Sequence, residues 1–260
     1  MVQVSKPGAA RERGHRPAHG DGVVERAFAL LRAFDAEHRV LPLADLARRS
    51  AIPRSSALRL ARTLVSVGAL ERLDDGRFTV GLGLLEVASL APRGHALRDV
   101  ALPYMEDLFH ITRQHVLLAV RDQDEALLVE RLSAHDATTV RYRVGGRMPL
   151  TATGVGLVLL AHAPRHVQER VVAGFIPDAD QEMLRGETDL RRVLAEVLRG
   201  GFAVGRLPGP TALSTVAAPV EGTDGVIAAL SIVCPSDAFD PVGNIAAVRA
   251  AARGISRRLS

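Results

Sequence analysis

Residues 41–80 read LPLADLARRSAIPRSSALRLARTLVSVGALERLDDGRFTV. Within this stretch, Pro53 to Val67 has helical spacing. At about 100° per residue, Ala57, Leu58, Ala61, Leu64 and Val65 fall on one side. Ser55, Arg59, Arg62 and Ser66 form a stripe on the other side, flanked by Ser56 and Thr63. Any surface helix presents a polar outer face, but usually one that mixes Glu with Lys or Arg. Here Arg48 to Arg62 holds five arginines (Arg48, Arg49, Arg54, Arg59, Arg62) and no acidic residue. Arg, Ser and Thr suit phosphate oxygens and base edges in a major groove, where the backbone charge repels a carboxylate.

The flanking residues agree. Leu41 to Arg49 reads as a short helix with Leu43, Leu46 and Ala47 turned inward, and Ser50 to Pro53 is a tight connection whose proline opens the next helix. Helix, short turn, helix is the geometry that presents a second helix to a groove. Gly68 ends that helix. Leu70–Leu73 and Arg77–Val80 are strand-like runs around the turn signal Asp74-Asp75-Gly76, which makes a β-wing with Arg77 near its tip. Upstream, Val24, Ala27, Phe28, Leu31 and Phe34 keep helical spacing and supply a packing helix.

Charge is unevenly placed. Residues 1–80 carry 14 Lys/Arg against 9 Asp/Glu, and the remainder carries 19 against 20, so the excess that meets a polyanion lies in the first third. Part of it (Lys6, Arg11, Arg13, Arg16) sits among Gly, Pro and Ala in residues 1–21, a tail expected to be disordered. The 260 residues suffice for two modest domains. Cys234 is the single cysteine, so no internal disulfide forms, as in a reducing cytoplasm. No apolar run is long enough for a membrane span, and the N-terminus lacks the apolar core of a signal peptide. A cytoplasmic protein without a membrane partner is the expectation.

These residues resemble the isocitrate lyase regulator (IclR) family of bacterial transcription factors. The likeness runs through Val24-Glu-Arg-Ala27, Leu43-Ala-Asp-Leu-Ala47, Ile52-Pro-Arg-Ser-Ser56, Leu64, Gly68, Asp75-Gly-Arg-Phe78 and Gly81. It continues in Gly146-Arg-Met-Pro-Leu150, Gly154, Val216-Ala-Ala-Pro-Val220 and Ala228-Ala-Leu-Ser231. The resemblance implies an α+β fold. In it, an N-terminal winged helix-turn-helix is joined by a linker helix to an effector-binding domain of the GAF and PAS kind, built on a curved antiparallel sheet. The expected organisation is the tail over 1–21, the winged helix-turn-helix over 22–81, the linker helix over 82–97 and the effector domain over 98–260. Read directly, Asp99 to His115 is helical with Pro103 suggesting a start near Leu102. Val116–Arg121 and Ala126–Leu132 flank a hairpin turn, and Gly154–His162 is an apolar helix. Val167–Ala173 and Leu190–Leu198 are amphipathic, Thr215–Val220 and Val226–Val233 are late strands, and residues 241 to 259 form a last helix.

The resemblance also implies a small-molecule site in the C-terminal half. Gly154 and Val155 would offer backbone amides at a helix start, which favours an anion. Thr215 and Ser231 would supply hydroxyls, and Ala137, Val140, Met148 and Leu213 an apolar wall. Against each stands a plainer reading: a strand hydroxyl bonds to backbone, and a glycine permits close packing. Val233 and Gly205 stand where some relatives are polar, and Arg206 either pairs with a carboxylate or faces water. The more apolar wall favours an aromatic or short-chain acid.

One cysteine cannot form a zinc pair, and Pro164 breaks the helical face that would bring His162 to His166. Gly154-Val-Gly156 lacks the third glycine of a dinucleotide fingerprint, because Leu159 stands there. No nucleophile elbow or phosphate-binding loop is present. The expectation is therefore no enzyme, no cofactor and no metal. Instead it is a regulator that binds a pseudo-palindromic double-stranded operator as a homodimer or a dimer of dimers and senses a small organic acid. Ser55, Ser56, Arg59, Arg62 and Thr63 would lie nearest the bases, with Arg54 and Arg77 on phosphates. The rival expectation is a constitutive DNA-binding protein whose C-terminal domain only oligomerises.

Overall fold

A computed structural model describes residues 22–133, 142–177, 184–207 and 212–260 of the chain. The chain divides into two compact units, with the boundary between Val87 and Ala88.

The first unit packs α1 (Val23–Leu31), α2 (Leu43–Arg49) and α3 (Arg54–Ser66) against a small antiparallel sheet. Its strands are β1 (Val40–Leu41), β2 (Leu70–Arg72) and β3 (Phe78–Val80), in the order β1-β3-β2. Leu30, Leu46, Ile52, Leu60, Leu64, Leu70 and Phe78 fill the core. Residue Leu41, read as part of the first helix, instead pairs with Phe78 and gives the wing a third strand. The packing helix also differs from its reading. Val24 and Phe28 are exposed, and Leu30, Ala33 and Phe34 do the packing. The helix ends at Leu31, and tight bonds from Ala33 to Leu30 and from Phe34 to Leu31 fold Phe34 out of helical phase into the core.

Pro53 caps α3 at its start, in extended backbone. The turn before it holds Ala51 at φ +55°, a left-handed position that a β-carbon makes costly. At its far end Gly68 takes φ +74° and turns the chain into the wing.

The second unit has a six-stranded antiparallel sheet in the order β6-β5-β4-β9-β8-β7. The strands are β4 (His115–Asp122), β5 (Glu125–Leu132), β6 (Arg147–Pro149), β7 (Ala203–Leu207), β8 (Leu213–Gly222) and β9 (Gly225–Pro235). The two central hairpins turn where the sequence places them, at Gln123–Asp124 and Thr223–Asp224. β6 and β7 are additions, too short for alternation to show. Pro219 is tolerated in β8 because it pairs only with Ala229, beyond the end of the β7 ladder at Ala217.

One face of the sheet carries α6 (Gly154–Ala161), with α7 (Arg165–Ala173) and α8 (Glu187–Gly200) beside it. Every residue of α6 is buried, as its unbroken apolar sequence requires. The other face carries α5 (Leu97–Thr112) and α9 (Pro241–Leu259). Helix α5 starts at Leu97, ahead of the expected Leu102. Pro103 forfeits one helical bond, but it lies on the exposed side while Leu97, Ala101, Met105 and Leu108 hold the buried side. Between α4 (Leu82–Ser89) and α5 the chain makes a wide turn over Pro92–Ala96. No helix of the described residues is long and apolar enough to cross a membrane. Both units mix helices and antiparallel strands, so the fold is α+β, with the sheet of the second unit curled into a half-barrel.

Candidate nucleic-acid interface and ligand site

Helix α3 buries Ala57, Leu60, Ala61 and Leu64, which turns Arg54, Ser55, Arg59, Arg62, Thr63 and Ser66 outward and leaves Ser56 half-buried. Leu60 was missing from the expected inner face, and Leu58 and Val65 are only half-buried at its margins. Arg54, Arg59 and Arg62 enter no ion pair among the described residues. On the preceding helix, by contrast, Arg48 is held by Asp45 at 2.7 Å and Arg49 by Asp35. The recognition-type face thus carries three arginines whose charge no ion pair offsets among the described residues. Two of its hydroxyls already donate to the helix backbone, Thr63 to the Arg59 carbonyl at 3.1 Å and Ser66 to Thr63 at 2.8 Å. Their lone pairs remain as acceptors.

At the wing, Arg77 is a tethered cation. Its Nε donates to Asp75 Oδ2 at 2.6 Å, and its backbone N–H donates to the other carboxylate oxygen at 3.0 Å. These bonds hold the Asp75 carboxyl below its ordinary range. Arg72 lies over the Phe78 ring, 6.0 Å from its centroid.

On the α6 side of the larger sheet, strand register lines up two adjacent rows. One runs Arg131, Leu117, Ser231, Ala217, Ala203, and the next includes His115, Val233, Thr215 and Gly205. Gly154, the first residue of α6, sits directly on them. A β-carbon there would lie 3.0 Å from Thr215 Cγ2 and 3.4 Å from Ala217 Cβ. Thr153 caps α6 by accepting the Gly156 N–H at 3.0 Å, while the N–H groups of Gly154 and Val155 meet no acceptor among the described residues. The Thr215 hydroxyl donates to the Ile232 carbonyl at 2.9 Å, whereas Ser231 Oγ is buried with no hydrogen-bond partner among the described residues. An unpaired buried hydroxyl is costly and uncommon, and in a native protein it calls for an explanation.

The structure brings Gly154 onto Thr215 and Ala217, with Ser231 paired to Ala217 on the next strand. Met148, Val155 and Leu213 belong to the same large aliphatic cluster, with Met148 three strands away from Ser231. Ala137 and Val140 lie outside the described residues. Arg206 is exposed and alternates to the side opposite Gly205, which fits its solvated reading. Sequence reasoning missed His115 and Arg131. His115 is buried, with Nδ1 2.8 Å from Ser133 Oγ, and Arg131 donates to the Tyr142 carbonyl at 2.7 Å. Period-two alternation outward from Leu117 and Ala119 places His115 on this face.

Two family profiles match the chain: the IclR helix-turn-helix domain over residues 23–74, and the bacterial transcriptional regulator IclR C-terminal domain over residues 91–257. The glycerol operon regulatory protein of Streptomyces coelicolor is 29% identical over 91% of this chain and 95% of its own. The HTH-type transcriptional repressor AllR of Klebsiella pneumoniae is 24% identical over 100% of this chain and 97% of its own. Among solved structures, an IclR homolog from Microbacterium hydrocarbonoxydans complexed with 4-hydroxybenzoate superposes with a TM-score of 0.85. It is 35% identical and covers 92% of this chain and 99% of its own.

Proposed function

The chain belongs to the IclR family of bacterial transcriptional regulators and is a DNA-binding regulator rather than an enzyme, and from that premise we propose that it reads a pseudo-palindromic operator and changes its hold on that operator when a small carboxylic or aromatic acid binds its second unit. Residues 22–81 form the reading head, 82–97 the linker and 98–260 the sensor. Two copies, alone or as a dimer of dimers, set two α3 helices in successive major grooves roughly 34 Å apart, in the cytoplasm. Ser55, Ser56, Arg59, Arg62 and Thr63 read base edges, while Arg54 and Arg77 hold phosphates.

Ser231 carries the sensor reading. Among the described residues its buried hydroxyl lacks a partner, near the start of α6, where two backbone amides also lack acceptors. A carboxylate on those amides and a polar atom on Ser231 would satisfy all three. The 4-hydroxybenzoate held by the Microbacterium homolog gives the acid to try first.

The packing of Gly154 on Thr215, and the hydroxyl Thr215 spends on Ile232, favour the rival reading of a filled layer that only assembles copies. Calorimetric titration with 4-hydroxybenzoate and a panel of small carboxylates separates the two. The sensor reading expects one acid to bind, and a Gly154→Val variant, which crowds Thr215 and the start of α6, to lose it. No binding across the panel favours the filled layer.

A further inference from the structure

We propose that the ion pair between Arg98 and Glu130 couples acid binding on the α6 side of the sheet to the chain segment that joins the sensor to α4. The inference rests on the sensor reading above and names how that site is connected.

Glu130 is the buried carboxylate among the described residues. Both of its oxygens are engaged: Oε2 accepts from Arg98 Nε, and Oε1 accepts the N–H of Arg131 at 2.8 Å. Only the carboxylate of this pair is buried, and the Arg98 side chain is 35% exposed. Such a pair adds little stability, because desolvating the carboxylate offsets much of the attraction and solvent screens the rest. Its position suggests another use. The pairing of β4 with β5 runs Leu117 to Arg131 and Leu118 to Glu130, then jumps to Ala119 with Leu128, so Val129 is an extra residue. Such a bulge re-aims the side chains next to it. Here Glu130 faces α5, while Arg131 faces the site in the row of Leu117 and Ser231. One carboxylate therefore ties the backbone of a site residue to a helix on the opposite face of the sheet.

That helix position matters. Arg98 is the second residue of α5, directly after the wide turn Pro92–Ala96. Within the turn, Arg93 donates to the Arg121 carbonyl at the end of β4. Both ties land on the same hairpin, so a displacement of β5 at Arg131 reaches the start of α5 through Glu130 and Arg98. The turn stays anchored through Arg93. Mere position between two sites does not establish coupling; the decisive quantity is the factor by which one ligand changes the affinity for the other.

The experiment measures four dissociation constants on the full-length protein. The acid is titrated with and without DNA from the region upstream of the protein's own gene, and that DNA with and without 4-hydroxybenzoate. Wild-type coupling of roughly 5- to 150-fold, equal in both directions, is the expectation. Glu130→Gln keeps the shape and removes the charge. It should bind acid and DNA each within about threefold of wild type, with the coupling factor reduced to nearly one. Arg98→Lys, which keeps the charge, should retain part of the factor. If Glu130→Gln fails to fold by circular dichroism, Arg98→Gln, at the more exposed partner, takes its place. Variants that bind both ligands and keep the full factor overturn the proposal while leaving the sensor reading intact. A wild-type protein that binds no acid overturns both.

Discussion

Thr215 and Ser231 present hydroxyls to the same side of the six-stranded sheet, but only Thr215 finds an acceptor, the Ile232 carbonyl at 2.9 Å, while Ser231 Oγ is buried with none among the described residues. On the proposed sensor reading, the contrast separates a hydroxyl spent on the fold from one available to a ligand.

Ser231→Ala should therefore act in opposite directions on stability and binding. Removing an unpaired buried hydroxyl should stabilise the apo protein by about 1 kcal/mol in urea denaturation. Losing its hydrogen bond should weaken acid binding roughly tenfold, since about 1.4 kcal/mol is a factor of ten. A variant that is destabilised, and binds acid unchanged, would mean that the hydroxyl serves the fold.

The unpaired arginines of α3 and the tethered one at the wing should behave differently on DNA. Arg59→Ala should cost about 1–3 kcal/mol on the specific sequence and relax the preference at one base position. Arg77→Ala should weaken all sequences alike and lower the salt slope by about one. Competition gel shifts across a salt series give both numbers, and equal loss of specificity in the two variants would refute the division of roles.

Gly156→Ala should destabilise the sensor unit. A β-carbon there would lie 2.6 to 2.8 Å from the backbone of Leu150, in a helix buried all round that cannot move away. Overpacking of this kind costs about 1–3 kcal/mol. Thermal unfolding should show a drop of several degrees, and an unchanged midpoint would mean that the loop at Leu150 yields.

Acid should loosen the reading head through Asp35. Its carboxyl, bonded first by the His38 side chain and then by the backbone N–H groups of His38 and Glu37, is lowered to about 2 from an ordinary 3.8. Because the folded value is the lower one, its contribution is complete above the ordinary value and is lost as pH falls through the range between the two. Unfolding monitored from pH 5 downward should show this loss, and Asp35→Asn should flatten it. A slope that persists in the variant would assign it to other carboxylates.

Much of this fold is legible in the sequence wherever one physical signal dominates. The α3 face was readable because helical period, proline start and glycine stop agree over Pro53 to Gly68. The hairpins at Gln123 and Thr223 were readable because polar turn residues separate long apolar strands. Failures came where a short element had no period to show, as in β1 at Leu41 and β6 at Met148. Pro103 misled because burial of Leu97 and Ala101 outweighed one lost bond. Site residues on strands are harder still. Ser231 and Thr215 look alike in sequence, and only the register and the Ile232 carbonyl tell them apart. The Glu130–Arg131 step hides behind a bulge that no spacing rule predicts.

The most direct test of the central claim is fluorescence anisotropy of a labelled fragment from the protein's own upstream region, titrated at fixed salt with and without saturating 4-hydroxybenzoate. The account predicts tight, sequence-preferring binding that Arg59→Ala weakens by roughly 5- to 150-fold and that the acid shifts severalfold in midpoint. Binding that neither this acid nor a panel of related carboxylates moves would contradict it and leave a constitutive DNA-binding protein.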